Sequence, residues 1–153
     1  MKEISLYVHI PFCKQRCFYC DFPTFAGKEK YREEYIDALI KEIKEKCSNY
    51  IIKTIFIGGG TPSYLETKEL EKLLKVIKNL NLSKDIEYSM ECNPGTLTKE
   101  KLMVMKKSGV NRISFGLQSC NNKLLKEIGR IHTFEEFLEN YNLARDIGFE
   151  NIN

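Results

Sequence analysis

The sequence lacks the features that are typical of membrane proteins, secreted proteins and nucleic-acid-binding proteins. No apolar run approaches the length of a bilayer-spanning helix, so we expect no membrane span. The apolar start, residues 1–12, contains Glu3 and His9 and precedes no small-residue cleavage pattern, so we expect no signal peptide and predict a cytoplasmic protein. An excess of one charge is also missing: 24 Lys and Arg and 21 Asp and Glu are interspersed, with net charge +3, which argues against a nucleic-acid partner.

The composition is that of one globular domain, because 42% of the 153 residues are apolar and 29% are charged. Cytoplasmic thiols stay reduced, so clustered cysteines indicate metal binding or catalysis rather than disulfides. Three of the six cysteines are clustered, at Cys13, Cys17 and Cys20. The other three lack ligand spacing, and an isolated histidine is more often structural than metal-binding. We therefore assign no metal to Cys47, Cys92, Cys120, His9 or His132.

Strand and helix patterns alternate along the chain. Period-two alternation or short β-rich runs predict strands over residues 4–10, 54–57, 86–90, 111–117 and 149–153. Helical spacing of apolar residues and capping signals predict helices over about residues 28–47, 70–80, 98–109 and 133–148. This order predicts a parallel α/β architecture of about four βα units and the start of a fifth strand, with right-handed crossovers.

The third and fourth predicted strands each have one polar face. A parallel sheet covered by helices on both faces should instead be apolar almost continuously. We therefore expect a barrel-like curve whose polar face lines a ligand cavity. The residues on that face are Glu87, Ser89, Glu91, Ser114, Gly116 and Gln118.

Three cysteines follow the first predicted strand in the segment CKQRCFYC, residues 13–20. Parallel α/β proteins place their active sites at this end of their strands. Three thiolates at these spacings suit one iron–sulfur cluster, in which one iron lacks a protein ligand and is free to bind a substrate. The alternative is that the thiols bind structural zinc, which usually has a fourth ligand such as His9 on the preceding strand, or bind nothing.

A glycine triplet follows the second predicted strand in the segment GGGTP, residues 58–62. Glycines let the backbone approach a ligand closely and present its N–H donors. A plain strand-to-helix turn explains such a triplet equally well.

The spacing CxxxCxxC after a first strand resembles the signature of the radical S-adenosylmethionine (SAM) family. The glycine triplet resembles the position where that family grips the amino group of SAM, in a variant typical of the coproporphyrinogen-dehydrogenase-like branch. Further segments resemble blocks of that branch and occur in its order along the whole chain. They are YVHIPFC (7–13), ECNPG (91–95), RISFGLQS (112–119) and GRIH (129–132).

The resemblance implies the N-terminal part of a partial (β/α)6 TIM-like barrel, with residues 1–153 as an incomplete radical SAM core domain. It implies a 4Fe–4S cluster on Cys13, Cys17 and Cys20, whose open iron chelates SAM and whose electron cleaves it to a radical. Singly, the other site residues have structural explanations, since Glu91 could cap a turn, Arg130 could form a surface ion pair and Gln118 could be a loop residue. By resemblance, SAM contacts would come from Tyr7, Tyr19, Gly59, Gly60, Thr61, Glu91, Gln118 and Arg130.

Two functions within this branch compete. The oxygen-independent coproporphyrinogen III dehydrogenase, also called an oxidase, decarboxylates propionates in porphyrin biosynthesis, whereas the W-type haem chaperones bind and deliver haem. The dehydrogenase carries a fourth cysteine two residues after the third and a long N-terminal extension. Here Phe22 occupies the fourth-cysteine position and three residues precede Ile4, so we favour the chaperone.

A third interpretation is a zinc- or cluster-binding structural module without SAM. For the favoured function, the resemblance implies SAM, haem or a porphyrinogen, a low-potential electron donor and haem-accepting proteins as partners. We expect the haem-binding residues to lie downstream of residue 153.

Overall fold

The computed structural model describes residues 1–153 and contains a five-stranded, fully parallel sheet. Each strand pairs with the next one in the chain, so the spatial order is the chain order. Such sequential order is that of a barrel wall, whereas a doubly wound sheet reverses its order at a switch point. The predicted α/β architecture is confirmed. The strands are β1 (Lys2–Ile10), β2 (Tyr50–Gly59), β3 (Leu82–Cys92), β4 (Arg112–Phe115) and β5 (Asn151–Ile152).

Five α-helices lie between the strands, and the longer ones pack side by side in chain order. None of them has the length and apolar content needed to cross a bilayer. They are α1 (Arg32–Cys47), α2 (Thr67–Lys78), α3 (Lys99–Lys107), α4 (Asn122–Glu127) and α5 (Phe134–Ile147).

The predicted capping signals set the ends of α3 and α5. The Thr98 hydroxyl accepts a hydrogen bond from the Lys101 N–H at 3.2 Å. Thr133 and Glu136 form the expected capping box, and Gly148 ends α5 with a φ of 106°. Left-handed backbone of this kind favours glycine because there is no Cβ to clash.

The two faces of the sheet differ as the alternation in β3 predicts. Tyr88 and Met90 are fully buried in the core that the sheet forms with the helices. On the opposite face the Ser89 hydroxyl donates to Glu87 Oε1 at 3.2 Å, so these two side chains point the same way. Glu91 continues this face to the carboxyl end of the strand, where it is half-buried.

All five strands differ in length from the expectations, and the differences at β2 and β4 have identifiable causes. β2 begins at Tyr50 rather than residue 54, because its first residues pair with the start of β1. β4 ends at Phe115, so Gln118 lies in the following loop with a φ of 68°. The alternation rule therefore does not reach Gln118, and its expected place on a strand face is wrong.

Short elements were also missed. α4 is a six-residue helix whose N-cap is the side chain of Asn121, and it is too short to show an apolar period. Two-residue strands at Phe12–Cys13 and Phe25–Ala26 form a small parallel ribbon at the base of the cysteine loop. The first predicted helix is divided into a 3-10 turn, Glu29–Tyr31, and α1.

Candidate cofactor site

Loops at the carboxyl ends of β1 to β4 enclose a cavity of about 230 Å³. Every expected cluster or SAM residue lines it except Tyr7, but Glu87 and Ser89, which were expected on the cavity face, do not. Residues from four separate βα units therefore meet in one place, as the parallel topology requires. The expected residues that line the cavity are Cys13, Cys17, Cys20, Tyr19, Gly59, Gly60, Thr61, Glu91, Gln118 and Arg130.

The cysteine loop leaves β1 at Ile10 and presents three free thiols in different environments. Cys13 is buried in the small ribbon, while Cys17 and Cys20 are half-buried. A turn joins the last two, since the Cys20 N–H donates to the Cys17 carbonyl at 3.1 Å. The loop thus brings all three cysteines to the lining of the cavity.

The connection between α4 and α5 anchors the cysteine loop from the far side. The Gln15 side-chain amide donates to the Gly129 carbonyl at 2.9 Å, and the Phe18 N–H donates to the Ile128 carbonyl at 3.1 Å. The Phe18 ring packs so closely on Gly129 that a Cβ there would lie 3.1 Å from it. The GRIH block, residues 129–132, therefore has a structural role in addition to supplying Arg130.

The glycine triplet lies against the cysteine loop through its backbone. Gly60 N–H donates to the Ile10 carbonyl and Thr61 N–H to the Phe12 carbonyl, both at 2.8 Å. A Cβ on Gly60 would lie 2.8 Å from the Phe12 carbonyl and 3.0 Å from Cys13 Sγ. Close backbone approach therefore explains why glycine is needed at this position.

Glu91 projects into the cavity from the end of β3. Its carboxylate oxygen Oε2 accepts a hydrogen bond from the Gly59 N–H at 3.1 Å. Burial raises the pKa of Glu91, and the Gly59 N–H and His9 partly offset this effect. A half-buried carboxylate with one unused oxygen is suited to receive a cationic ligand group.

A chain of side-chain hydrogen bonds crosses the cavity wall. Arg130 donates through Nη1 to Cys17 Sγ at 3.4 Å and through Nη2 to Asn93 Oδ1 at 3.1 Å. Asn93 Nδ2 donates to Thr61 Oγ1 at 2.9 Å, and Thr61 Oγ1 donates to Cys13 Sγ at 3.5 Å. Arg130 Nη2 also contacts the Gly116 carbonyl. Sequence reasoning gave Asn93 no role, and only its place within the ECNPG block could have suggested one.

Tyr7 lies outside the cavity lining and contacts it indirectly. Its ring stacks on Phe56, and its hydroxyl donates to His9 Nδ1 at 2.9 Å. His9 Nε2 donates to the Pro23 carbonyl at 3.1 Å, which requires the proton on Nε2 and leaves Nδ1 as the acceptor. His9 thus fastens the end of the cysteine loop to β1, which is a structural role.

Tyr19 and Gln118 reach the cavity from exposed loop positions. Burial is the main cause that raises the pKa of the Tyr19 hydroxyl, and the nearby Arg130 charge opposes it. Phe22 also lines the cavity at the position where the dehydrogenase branch carries its fourth cysteine.

The isolated histidine and cysteines have structural surroundings. His132 Nε2 donates to the Leu117 carbonyl at 3.2 Å, and burial lowers the pKa of this imidazole. Cys92 borders the cavity, but burial raises the pKa of its thiol, whereas Cys120 is exposed. No three His, Cys, Asp or Glu side chains converge closely enough to hold a single metal ion.

A cavity with three cysteines at the carboxyl ends of a sequentially ordered parallel sheet defines a barrel-type βα protein with a thiol-lined site. The chain belongs to the radical SAM superfamily, whose family model matches residues 7–153. Membership in this family implies a 4Fe–4S cluster and SAM.

Two relatives and one solved structure are close to the chain. It is 44% identical over 153 residues to the haem chaperone HemW of Bacillus subtilis, covering 97% of this chain and 40% of the relative. It is 40% identical over 158 residues to HemW of Escherichia coli, covering 100% and 42%. The structure of coproporphyrinogen III oxidase (HemN) from E. coli, a radical SAM enzyme, superposes with a TM-score of 0.88 at 31% identity, covering 99% of this chain and 36% of that one. The chain thus spans about two fifths of the length of these relatives.

Proposed function

We propose that the chain is the SAM- and cluster-binding region of a haem chaperone. The observation that carries the proposal is the meeting of three cysteine thiols, the glycine triplet, Glu91 and Arg130 at one cavity. The 44% and 40% identity to proteins named haem chaperones supports a chaperone rather than an enzyme. The six free thiols also suit a reducing compartment, for which we propose the cytoplasm.

Cys13, Cys17 and Cys20 are the proposed cluster ligands. In a cluster each thiolate binds a different iron, so the three sulfurs line one cavity without having to converge on one point. Two of the sulfurs already accept hydrogen bonds, from Thr61 and Arg130, and such donors suit the negative charge of ligated sulfur. A four-coordinate zinc site would instead need ligands that converge tightly, so the donor set supports the cluster.

SAM is the proposed second occupant, and the cluster provides the electron for its chemistry when bound. Gly59 and Gly60 leave room for the backbone to approach SAM, and the free oxygen of Glu91 suits its amino group. Arg130, Gln118, Tyr19 and Thr61 are the further proposed polar contacts, and all four line the same cavity. Tyr7 stays a predicted SAM contact, and its hydroxyl lies beside the site through its bond to His9.

The alternative function is coproporphyrinogen III oxidation, and the TM-score of 0.88 to HemN favours it. Phe22 argues against it, because an exposed phenylalanine borders the cavity where that branch has cysteine.

The experiment compares haem binding with turnover in the full-length gene product. The reduced, cluster-loaded protein is incubated with SAM and coproporphyrinogen III and followed for carbon dioxide and protoporphyrinogen, beside a spectroscopic haem titration. We expect stoichiometric haem binding without turnover, while turnover without stable haem binding would establish the enzyme. Phe22→Cys is the matched variant and is expected to create no oxidase activity.

A further inference from the structure

The hydrogen-bond chain at the cavity wall has a fixed direction. A guanidinium can only donate, so the atom of Asn93 that faces Arg130 must be its carbonyl oxygen Oδ1. The amide nitrogen Nδ2 therefore faces Thr61 and donates to its hydroxyl oxygen. Thr61 Oγ1 accepts this bond and has one hydrogen left to donate. That hydrogen points at Cys13 Sγ. Every bond from Arg130 to Cys13 thus donates in the same direction.

The backbone holds Asn93 rigidly in this place. Its N–H donates to the buried hydroxyl of Ser63 at 3.0 Å, and its carbonyl accepts from the Thr96 hydroxyl at 2.6 Å. Gly116 leaves the side chain just enough space, since a Cβ there would lie 2.7 Å from Asn93 Oδ1 and 3.0 Å from Arg130 Nη2. Three βα loops therefore fix the amide that joins Arg130 to Thr61.

We propose that Asn93 is a positioning residue that directs the Thr61 hydroxyl onto Cys13, so that Arg130 acts on two cluster sulfurs. It acts on Cys17 directly and on Cys13 through the relay Asn93–Thr61. This inference rests on the proposed cluster ligands. Hydrogen bonds to sulfur help to set the reduction potential of an iron–sulfur cluster, and aligned bonds strengthen one another. The relay therefore raises the potential relative to a site without it.

Asn93→Asp tests the direction of the relay with almost no change in shape. A carboxylate only accepts, so the Thr61 hydroxyl would turn toward it and leave Cys13. The midpoint potential of the reconstituted cluster is measured without SAM, so SAM contacts do not contribute. We expect the potential to fall, and the lost sulfur bond to account for roughly a tenfold change in the reduction equilibrium, or about 59 mV for one electron.

A double-mutant cycle with Thr61→Val separates the relay from the added charge. Without the Thr61 hydroxyl, Asn93→Asp can change the potential only through its charge, so its shift should be smaller. Thr61→Ser should keep the wild-type potential. A parallel cycle with the uncharged Asn93→Ala should show coupling of the same sign. Shifts that add fully in both cycles would overturn the relay.

Asn140→Asp is a control for a carboxylate added outside the relay. The Asn140 Oδ1 atom accepts from the Gly95 N–H at 2.9 Å, which a carboxylate does equally well, so the potential should stay near the wild-type value. A shift as large as that of Asn93→Asp would attribute the effect to charge alone and overturn the proposal. A wild-type chain that loads no cluster would overturn the proposed function and the relay together, whereas additive shifts on a loaded cluster overturn the relay alone.

Discussion

The two faces of the parallel sheet consist of the same strands but are held in different ways. On the helix-covered face, Ile57, Tyr88 and Met90 are fully buried among apolar neighbours. On the cavity face, Glu91 and the strand-end loops are held by individual hydrogen bonds. The stability of the apolar face depends on the volume and area of the packed side chains. The arrangement of the cavity face depends on which atom donates and which atom accepts each hydrogen bond. Substitutions on the two faces should therefore separate stability from ligand binding.

Cys17→Ser should give the largest effect, a complete loss of the cluster, with little change in folding. Metal binding requires thiolates, and a serine hydroxyl stays protonated. The free energy of unfolding of the apo-protein should change by no more than about 0.5 kcal/mol. Iron content and visible absorption after anaerobic reconstitution are the measurements.

Cys120→Ser is the control, because this exposed thiol should be dispensable for loading. The ligand assignment is wrong if single serine variants of Cys13, Cys17 and Cys20 all keep the cluster while Cys47→Ser or Cys92→Ser loses it.

Ile57→Ala tests the opposite face. Ile57 is fully buried in β2, so removing its side chain should lower the free energy of unfolding by about 2 to 5 kcal/mol. Urea unfolding of the apo-protein measures this. Cluster loading per folded molecule should stay close to that of the wild type, and a selective loss of loading would show that the two faces are not independent.

Gly60→Ala should affect stability and loading together, because Gly60 lies where the two regions meet. The new methyl group would press on the Phe12 carbonyl and Cys13 Sγ, and overpacking of this kind costs about 1 to 3 kcal/mol. We expect reduced cluster yield and a lower urea midpoint.

Gly27→Ala is the control that adds a Cβ to a glycine without creating a close contact. Gly27 has a φ of 70° and no atom within 4 Å of an added Cβ. Its cost should be about 1 to 2 kcal/mol from backbone conformation, with normal loading per folded molecule. Equal loss of loading in both variants would contradict the close-contact explanation.

Glu91→Gln should give the smallest effect, a pH-dependent gain in stability of the apo-protein. Because burial raises the pKa of Glu91, the folded state holds this proton more tightly than the unfolded state does. The tighter proton binding stabilises the folded state below the ordinary glutamate pKa of about 4.3. This stabilisation is lost as the pH rises through the folded-state pKa. Urea unfolding from pH 4 to 7 should show the variant becoming relatively more stable as the pH rises, and a constant difference would contradict this.

Much of the fold could be predicted because its patterns are local. The alternation in β3 identified the faces of Tyr88 and Glu91 correctly, and the capping box at Thr133 located the start of α5. The end of β4 and the helix α4 could not be predicted, because four- and six-residue elements show too little periodicity.

The candidate site was predictable as a set of residues but not as a network. Spacing and resemblance identified the cysteines, Glu91 and Arg130. The role of Asn93 depends on bonds to Thr61 and Arg130 that span 32 and 37 residues of sequence. No local pattern encodes contacts across that separation, because three different loops have to meet first.

The anchoring of the cysteine loop also has a consequence for the order of events during synthesis. Gln15 and the Gly129 carbonyl that it binds are 114 residues apart. At ribosomal rates of about 5 to 20 residues per second, Gly129 is synthesised on the order of 6 to 23 seconds after Gln15. The hydrogen bond that anchors the loop cannot form before then. The nascent chain therefore exposes its cysteines to oxidants and competing metals well before the loop has its final shape. The proposed cluster would therefore be assembled on the anchored loop only after the fourth βα unit has left the ribosome.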